Sequence, residues 1–294
     1  MVQKNPKIKQ KIIVIYGPTS SGKSDYAVKL ALEIGKDKAK IISADSRQVY
    51  KELNLLSGKV TKAEMLGVKH HMLSIVSLVN IKNADFYSAS DYANSASQIV
   101  LGILESGKTP IVCGGTGFYI QALVNKLNNT SLPEVPPNKK LREKLNKLNT
   151  TELFEILKNK DAIRAKSIDS KNKVRLIRAL EIIETLGMVP VQGSTLHKNK
   201  YEIEWVRLDL DNTGLKNKIE KRLAERISLG MLDEAQKVYK LIGSEKMQAL
   251  GLECKYSAMF IEGEINLEEL KTILPTKIWQ YAKRQRTWFK KQFN

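Results

Sequence analysis

The chain has 294 residues and a formal charge of +18 at pH 7, with basic side chains spread from its first segment to its last. An apolar share of 42% can fill one large core, or a core with an inserted subdomain. The charge points to a polyanionic partner, nucleic acid ahead of an anionic membrane, although a generally basic soluble enzyme also fits it. Cys113 and Cys254 are the only cysteines, which argues against a disulfide framework or a cysteine zinc site and suits a reducing cytoplasm. Met1 to Gln10 lacks the apolar run of a signal peptide, and nothing reads as a membrane span.

In chain order, Lys11 to Tyr16 reads as a short apolar strand. A glycine-rich run follows, and then a helix with Ala27, Leu30, Ala31 and Ile34 on one face. A second strand, Lys40 to Ala44, ends at Asp45-Ser46-Arg47-Gln48. A helix from about Ser88 to Glu105 feeds a third strand, Pro110 to Cys113, ending at Gly114-Gly115-Thr116-Gly117. Strand, loop, helix repeated in this way predicts an α/β fold: a P-loop NTPase-like parallel sheet flanked by helices. The three loops are expected to converge at one sheet edge, where such folds bind ligands.

After Leu127 the pattern changes. Asn128 to Asn138 is rich in Asn and Pro, and Lys139 to Gly187 is charged and helical with no strand candidate, which predicts an inserted all-helical subdomain over 128–195. The core is then 1–127 with 196–294. Tyr201 to Leu210 alternates as a strand and returns the chain to the sheet. Basic helices are expected over Thr213 to Ser228, Leu232 to Leu241, Leu267 to Ile273 and Thr276 to Lys291.

Gly17-Pro18-Thr19-Ser20-Ser21-Gly22-Lys23-Ser24 satisfies the pattern G-x-x-x-x-G-K-[ST] with the required strand before it and helix after it. Backbone amides of such a loop turn onto phosphate oxygens, the helix N-terminus adds positive potential, Lys23 neutralises charge and Ser24 can ligate Mg²⁺. The loop specifies a diphosphate or triphosphate group without saying what carries it. An acid suited to a nucleotide hydrolase is not evident beyond Asp45, which reads equally as a turn residue or a helix cap.

These residues resemble a family. The P-loop, Asp45-Ser46-Arg47-Gln48-Val49-Tyr50, His70-His71-Met72-Leu73, Gly114 to Ile120, Arg175-Leu176-Ile177-Arg178-Ala179-Leu180-Glu181 and Ala282-Lys283-Arg284-Gln285-Arg286-Thr287-Trp288 occur in the order seen in tRNA dimethylallyltransferases. The resemblance spans about Ile12 to Phe289. It implies transfer of a dimethylallyl group from dimethylallyl diphosphate, with Mg²⁺, to N6 of adenosine 37 in the tRNA anticodon loop, by a cytoplasmic protein expected to be a monomer.

By the same resemblance Asp45 is the general base, Thr19 orients it or the incoming amine, and Arg222 contacts the diphosphate. Thr116 falls at the target adenosine, though a threonine there also suits a helix cap. Ser46, Arg47, Gln48, Lys140, Arg175, Arg178, Gln285 and Arg286 are expected at the RNA, with Asp45 and Thr116 beside the base. Tyr281 and Trp288 read as core residues.

The chain departs from the family at two points. Ser74 stands where an acid commonly follows the histidine motif, and the usual Gly-Tyr-Lys or Gly-Tyr-Arg turn reads Gly251-Leu252-Glu253-Cys254-Lys255, with Lys255 left as a candidate phosphate contact. The adjacent histidines face opposite ways in a strand and lack a third metal ligand. Other readings are an adenylate isopentenyltransferase acting on free nucleotide, a P-loop small-molecule kinase, and an RNA-binding module without turnover.

Overall fold

The computed structural model describes residues 10–81, 85–130, 134–190 and 200–293. The stretch before Gln10 and the expected boundary at 195 and 196 lie outside them. The chain divides into two compact units, Met1–Asn129 with Lys198–Asn294, and Thr130–His197.

In the first unit β1 (Lys11–Tyr16), α1 (Lys23–Ile34), β2 (Ala39–Ser43), β3 (His70–His71), α2 (Leu78–Ile81), α3 (Ala89–Glu105), β4 (Thr109–Gly114) and α4 (Gly117–Leu127) follow one another. The second unit holds α5 (Lys139–Leu145), α6 (Thr150–Lys160), α7 (Ala162–Ser167) and α8 (Lys173–Leu186). The chain returns with β5 (Glu202–Arg207), α9 (Asn212–Ser228), α10 (Met231–Ile242), α11 (Ser244–Ala249), α12 (Leu252–Ile261) and α13 (Leu267–Gln292).

The five strands form one sheet in the order β3-β2-β4-β1-β5, parallel at every pairing. Alternation along the strands sorts their side chains between two faces. Ile13, Ile15, Ile41 and Ile111 pack with Ala27, Val28 and Ala31 of α1. Ile12, Val14, Ile42 and Val112 belong to a larger core that includes Tyr92, Ile120, Leu223 and Phe289. The edge strand β5 carries Glu202, Glu204 and Arg207 outward, and Lys11 pairs with Glu204 at 2.6 Å; charge of this kind discourages pairing with another chain. Where the chain leaves for the second unit and comes back, the Lys200 amide donates to Asn128 Oδ1 at 3.1 Å.

Two expectations fail in the C-terminal third. The helices expected on either side of Pro275 are one, α13, with Pro275 inside it. A proline in a helix interior costs about 3 kcal/mol, but Leu270, Leu274, Ile278, Ala282 and Phe289 form one buried stripe across it, and each large apolar side chain buried returns about 1.5–3 kcal/mol. The stretch read as a turn from Gly251 to Lys255 is the entry and first turn of α12, which buries Cys254 and Ala258.

The second unit has its own core of Leu145, Leu153, Leu157, Leu176, Ile177 and Leu180. Its described residues contain no strand. Glu181 is covered completely and accepts from the Asn138 amide at 2.9 Å, from Arg142 Nε at 2.7 Å and from Arg178 Nη1 at 3.2 Å. Burial alone would raise its carboxyl; the hydrogen bonds from Arg142, Asn138 and Arg178 outweigh that and hold it below the usual glutamate value.

Candidate active site

Because β1, β2 and β4 run parallel, their C-terminal ends share one edge, and the three following loops meet there around a cleft of about 640 Å³. The first is the phosphate-type loop. Gly17 lies at φ +156°, and a Cβ on it would stand 1.9 Å from the Leu208 carbonyl oxygen, so only glycine lets β1 turn beside β5. Ser20 and Gly22 have positive φ, at 62° and 88°, and this backbone turns successive amides toward the cleft. Lys23 donates to the Pro18 carbonyl and to Ser21 Oγ. Burial is the main cause that brings its ammonium down to about 8; nearby Arg222 acts in the same direction, while Cys113 and Asp45 oppose it.

Across from the loop, α9 presents Lys218, Lys221, Arg222 and Arg226 to the cleft. Arg222 Nη1 lies 3.5 Å from Ser20 Oγ. The arginine opens on the cleft yet is surrounded by protein, and desolvation holds its guanidinium below the ordinary value. Lys218 Nζ sits 3.5 Å from where a Cβ on Gly22 would be. Two cations one turn apart on α9 therefore face the loop, of which the sequence reading picked only Arg222.

The second loop is built by Asp45. Its Oδ1 accepts the Arg47 amide at 2.8 Å and the Gln48 amide at 3.3 Å, so it does shape a turn. Among the described residues nothing hydrogen-bonds its Oδ2, and Asp45 lines the cleft. Gln48 is held at both ends, accepting from Ser43 Oγ at 3.1 Å and donating to the Gly58 carbonyl at 3.4 Å. Arg47 donates to the Ser46 carbonyl and packs over Gly251. The third loop carries Thr116, whose hydroxyl does not cap α4. It accepts the Ser46 amide at 3.0 Å, joining the second loop to the third. Thr19 also lines the cleft; its amide donates to Gln285 Oε1, and no hydrogen bond joins its hydroxyl to Asp45.

Several residues expected at the RNA have other partners. Gln285 is buried and bonds the Thr19 amide and the Gly115 carbonyl. Every nitrogen of Arg286 is engaged, by Asp209, Asn212 and the Leu210 carbonyl. Arg178 bonds Glu181 and the Val135 carbonyl within its own unit. Lys140, Arg175 and Lys255 are exposed. Tyr281, expected in the core, is 39% exposed and lines the cleft, where desolvation raises its phenol. Trp288 is partly buried against the core, packed on Phe118 and over Gly117.

The sequence reading missed Lys59, which lines the cleft and donates to the Tyr50 carbonyl, Asn54 and Ser74; burial lowers it to about 8. It also missed the Arg226–Glu253 pair at 3.2 Å.

His70 bonds the Val68 carbonyl through Nδ1, and burial lowers its pKa. Among the described residues no three His, Cys, Asp or Glu side chains group to hold a metal. Near the loop the cleft lining includes the carboxylates of Asp25 and Asp45 and the hydroxyls of Thr19, Ser20 and Ser24. So sparse a set fits Mg²⁺, which keeps waters and binds largely through a substrate's phosphates, better than a caged ion.

A sequence profile described as IPP transferase matches residues 48–292. The tRNA dimethylallyltransferase 2 of Treponema denticola is 37% identical over 287 residues, covering 96% of this chain and 92% of its own. The solved structure of the full-length tRNA isopentenylpyrophosphate transferase of Bacillus halodurans superposes with a TM-score of 0.68 at 30% identity, over 97% of this chain and 88% of that one. A eukaryotic dimethylallyltransferase acting on tRNA gives a TM-score of 0.78 at 26% identity, over 95% of this chain and 70% of that one.

Proposed function

The chain belongs to the IPP transferase family, and on that premise we propose that it moves a dimethylallyl group from dimethylallyl diphosphate to N6 of adenosine 37 in the tRNA anticodon loop. The observation that carries this reading is one cleft joining a phosphate loop and its facing cations to a carboxylate oxygen that has no hydrogen-bond partner among the described residues.

An exocyclic adenine amine is a weak nucleophile, because its lone pair is delocalised into the ring. In the reaction N6 attacks C1 of the prenyl group, the C1–O bond breaks with its electrons leaving on the diphosphate, and the N6 proton passes to Asp45 Oδ2. The turn amides on Oδ1 hold that carboxylate in place. The amides of the loop, Lys23, Arg222 and Lys218 meet the charge that grows on the departing oxygen. Mg²⁺, held by Ser24 and the diphosphate oxygens, would supply further positive charge there. Thr116, pinned to Ser46, faces the acceptor side of the cleft. In this reading Lys140, Arg175 and Lys255, exposed and therefore accessible, take RNA phosphates, and the base must leave its stack to be reached.

The reading carries with it a single chain working as a monomer in the cytoplasm. Among the described residues no helix is long and apolar enough to cross a membrane. Purified protein, dimethylallyl diphosphate and an anticodon stem-loop should yield N6-isopentenyladenosine by mass spectrometry with ATP absent. Efficient prenylation of AMP in competition with the stem-loop, or a strict need for ATP with phosphate transfer, would overturn it.

A further inference from the structure

Gln285 was expected at the RNA, and its surroundings give it different work. It is 8% exposed, and its amide is used at both ends: Oε1 accepts the Thr19 N–H at 2.8 Å, and Nε2 donates to the Gly115 carbonyl at 2.8 Å. The partners fix the amide's orientation, since an N–H requires the oxygen and a carbonyl requires the NH₂. We propose that Gln285 is a positioning residue that sets the spacing between the donor loop, Gly17 to Ser24, and the acceptor loop, Gly114 to Gly117; the inference rests on the reaction proposed above.

Three further observations support this assignment. Gly115 adjoins Thr116, which accepts the Ser46 amide, and Ser46 adjoins Asp45. A continuous path therefore runs from Thr19 through Gln285 and Gly115 to the carboxylate, crossing all three loops. The fit is close: a Cβ on Gly115 would lie 2.8 Å from Gln285 Nε2. Beside it on the same turn, Arg286 bonds Asp209, the Leu210 carbonyl and Asn212 where the chain enters α9, the helix that carries Lys218 and Arg222. One turn of α13 thus sets the donor loop against the acceptor loop and against the facing cations. With its N–H committed to Gln285, Thr19 does not offer that amide to the phosphate cradle.

Displacement at carbon requires the reacting atoms about 3–3.5 Å apart and aligned, and an error of about 1 Å costs on the order of a hundredfold. Gln285→Met keeps the length and removes both bonds. It is expected to lower the single-turnover rate of the preformed protein–tRNA complex by about ten- to a hundredfold, with tRNA affinity within about twofold of wild type. Gln285→Glu gives a signature that a merely structural role would not. Its neutral carboxyl can accept from Thr19 and donate to Gly115 as the amide does, and its carboxylate cannot. The ratio of variant to wild-type rate should therefore rise as pH falls.

A ratio flat with pH, a loss confined to tRNA affinity, or an unchanged rate with only a lowered melting temperature would overturn the proposal. Absence of transfer by the wild-type protein would defeat the reaction assigned above, separately from the spacing. Amide exchange tests the spacing without activity: Gln285→Met should speed exchange at 17–24 and 114–117 at least about tenfold with α13 still protected, and unchanged exchange there would refute it.

Discussion

Two clusters of charge, Glu181 with its donors in one unit and the cleft residues around Lys23 in the other, are handled in opposite ways. In the helical unit Glu181 is covered completely and saturated by Asn138, Arg142 and Arg178, so charge there ties α5 to α8 beside a modest core. In the sheet unit Lys23, Arg222 and Asp45 are brought to a cleft with capacity in reserve: a desolvated ammonium, a guanidinium facing a loop, and a carboxylate oxygen with no protein donor among the described residues. A buried ion pair that is complete is architecture; one half of a pair, aimed into a cleft, waits for a ligand. The difference cannot be read from residue type, since both units use arginine against a carboxylate.

That contrast can be broken at several points. The largest effect is expected at Asp45→Ala, which should reduce transfer by about a hundredfold to ten-thousandfold while filter binding shows tRNA affinity largely kept; unchanged turnover would remove Asp45 from the chemistry. Arg222→Ala should cost about a hundred- to a thousandfold in kcat, with melting temperature nearly unmoved, because its charge serves the ligand.

Glu181→Ala should do the reverse. Removing the carboxylate that Arg142 and Arg178 share, and that accepts the Asn138 amide, is expected to destabilise the helical unit by about 1–3 kcal/mol, seen as faster amide exchange in α5 and α8, with phosphate binding by the cleft retained. Its folded pKa is lowered, so its stabilisation is complete above the ordinary glutamate range and is lost as pH falls through the folded value.

A milder effect comes from pH at the cleft. Burial brings Lys23 down to about 8; with its protonated form meeting the donor diphosphate, as proposed, KM for the donor should be flat below that pH and rise by up to about tenfold per unit above it. Lys59 titrates in the same range; Lys59→Arg, which keeps its charge, should leave that limb in place. Smallest of all, Lys140→Ala with Arg175→Ala should weaken tRNA binding a few-fold and flatten its salt dependence by about 0.7–0.9 per charge removed.

Local signals were legible in the sequence. The P-loop pattern between an apolar strand and a helix with Ala27 and Ala31 inside located one wall of the cleft, and three strands each ending in small or polar residues located its edge. What escaped was polar pairing over long separations. Gln285 meets Thr19 across 266 residues, and Arg286 meets Asp209 across 77; a motif near the C-terminus shows that a glutamine and an arginine stand there and not what they hold. Helical spacing alone does not say which face of α9 meets the P-loop, so the sequence does not set Lys218 apart from Lys216 and Lys221. Tyr281 fits a helical apolar stripe as well as a cleft wall, and only the placement of Gln285 one turn later decides which. Pro275 misled for the opposite reason: a local rule against proline was outweighed by a buried stripe on both sides of it.

The bond from the Lys200 amide to Asn128 Oδ1 means that the sheet unit releases its chain and takes it back at nearly the same spot. To the sheet, everything between those residues is a closed loop of fixed span, and doubling such a loop adds only about 0.6 kcal/mol of closure entropy. The piece hung from this doorway can therefore lengthen, shorten or be exchanged over evolutionary time with little disturbance to the strands that aim the cleft. Diversification among such proteins has a cheap axis, the size and surface of the insertion, while the geometry at the three loops stays fixed.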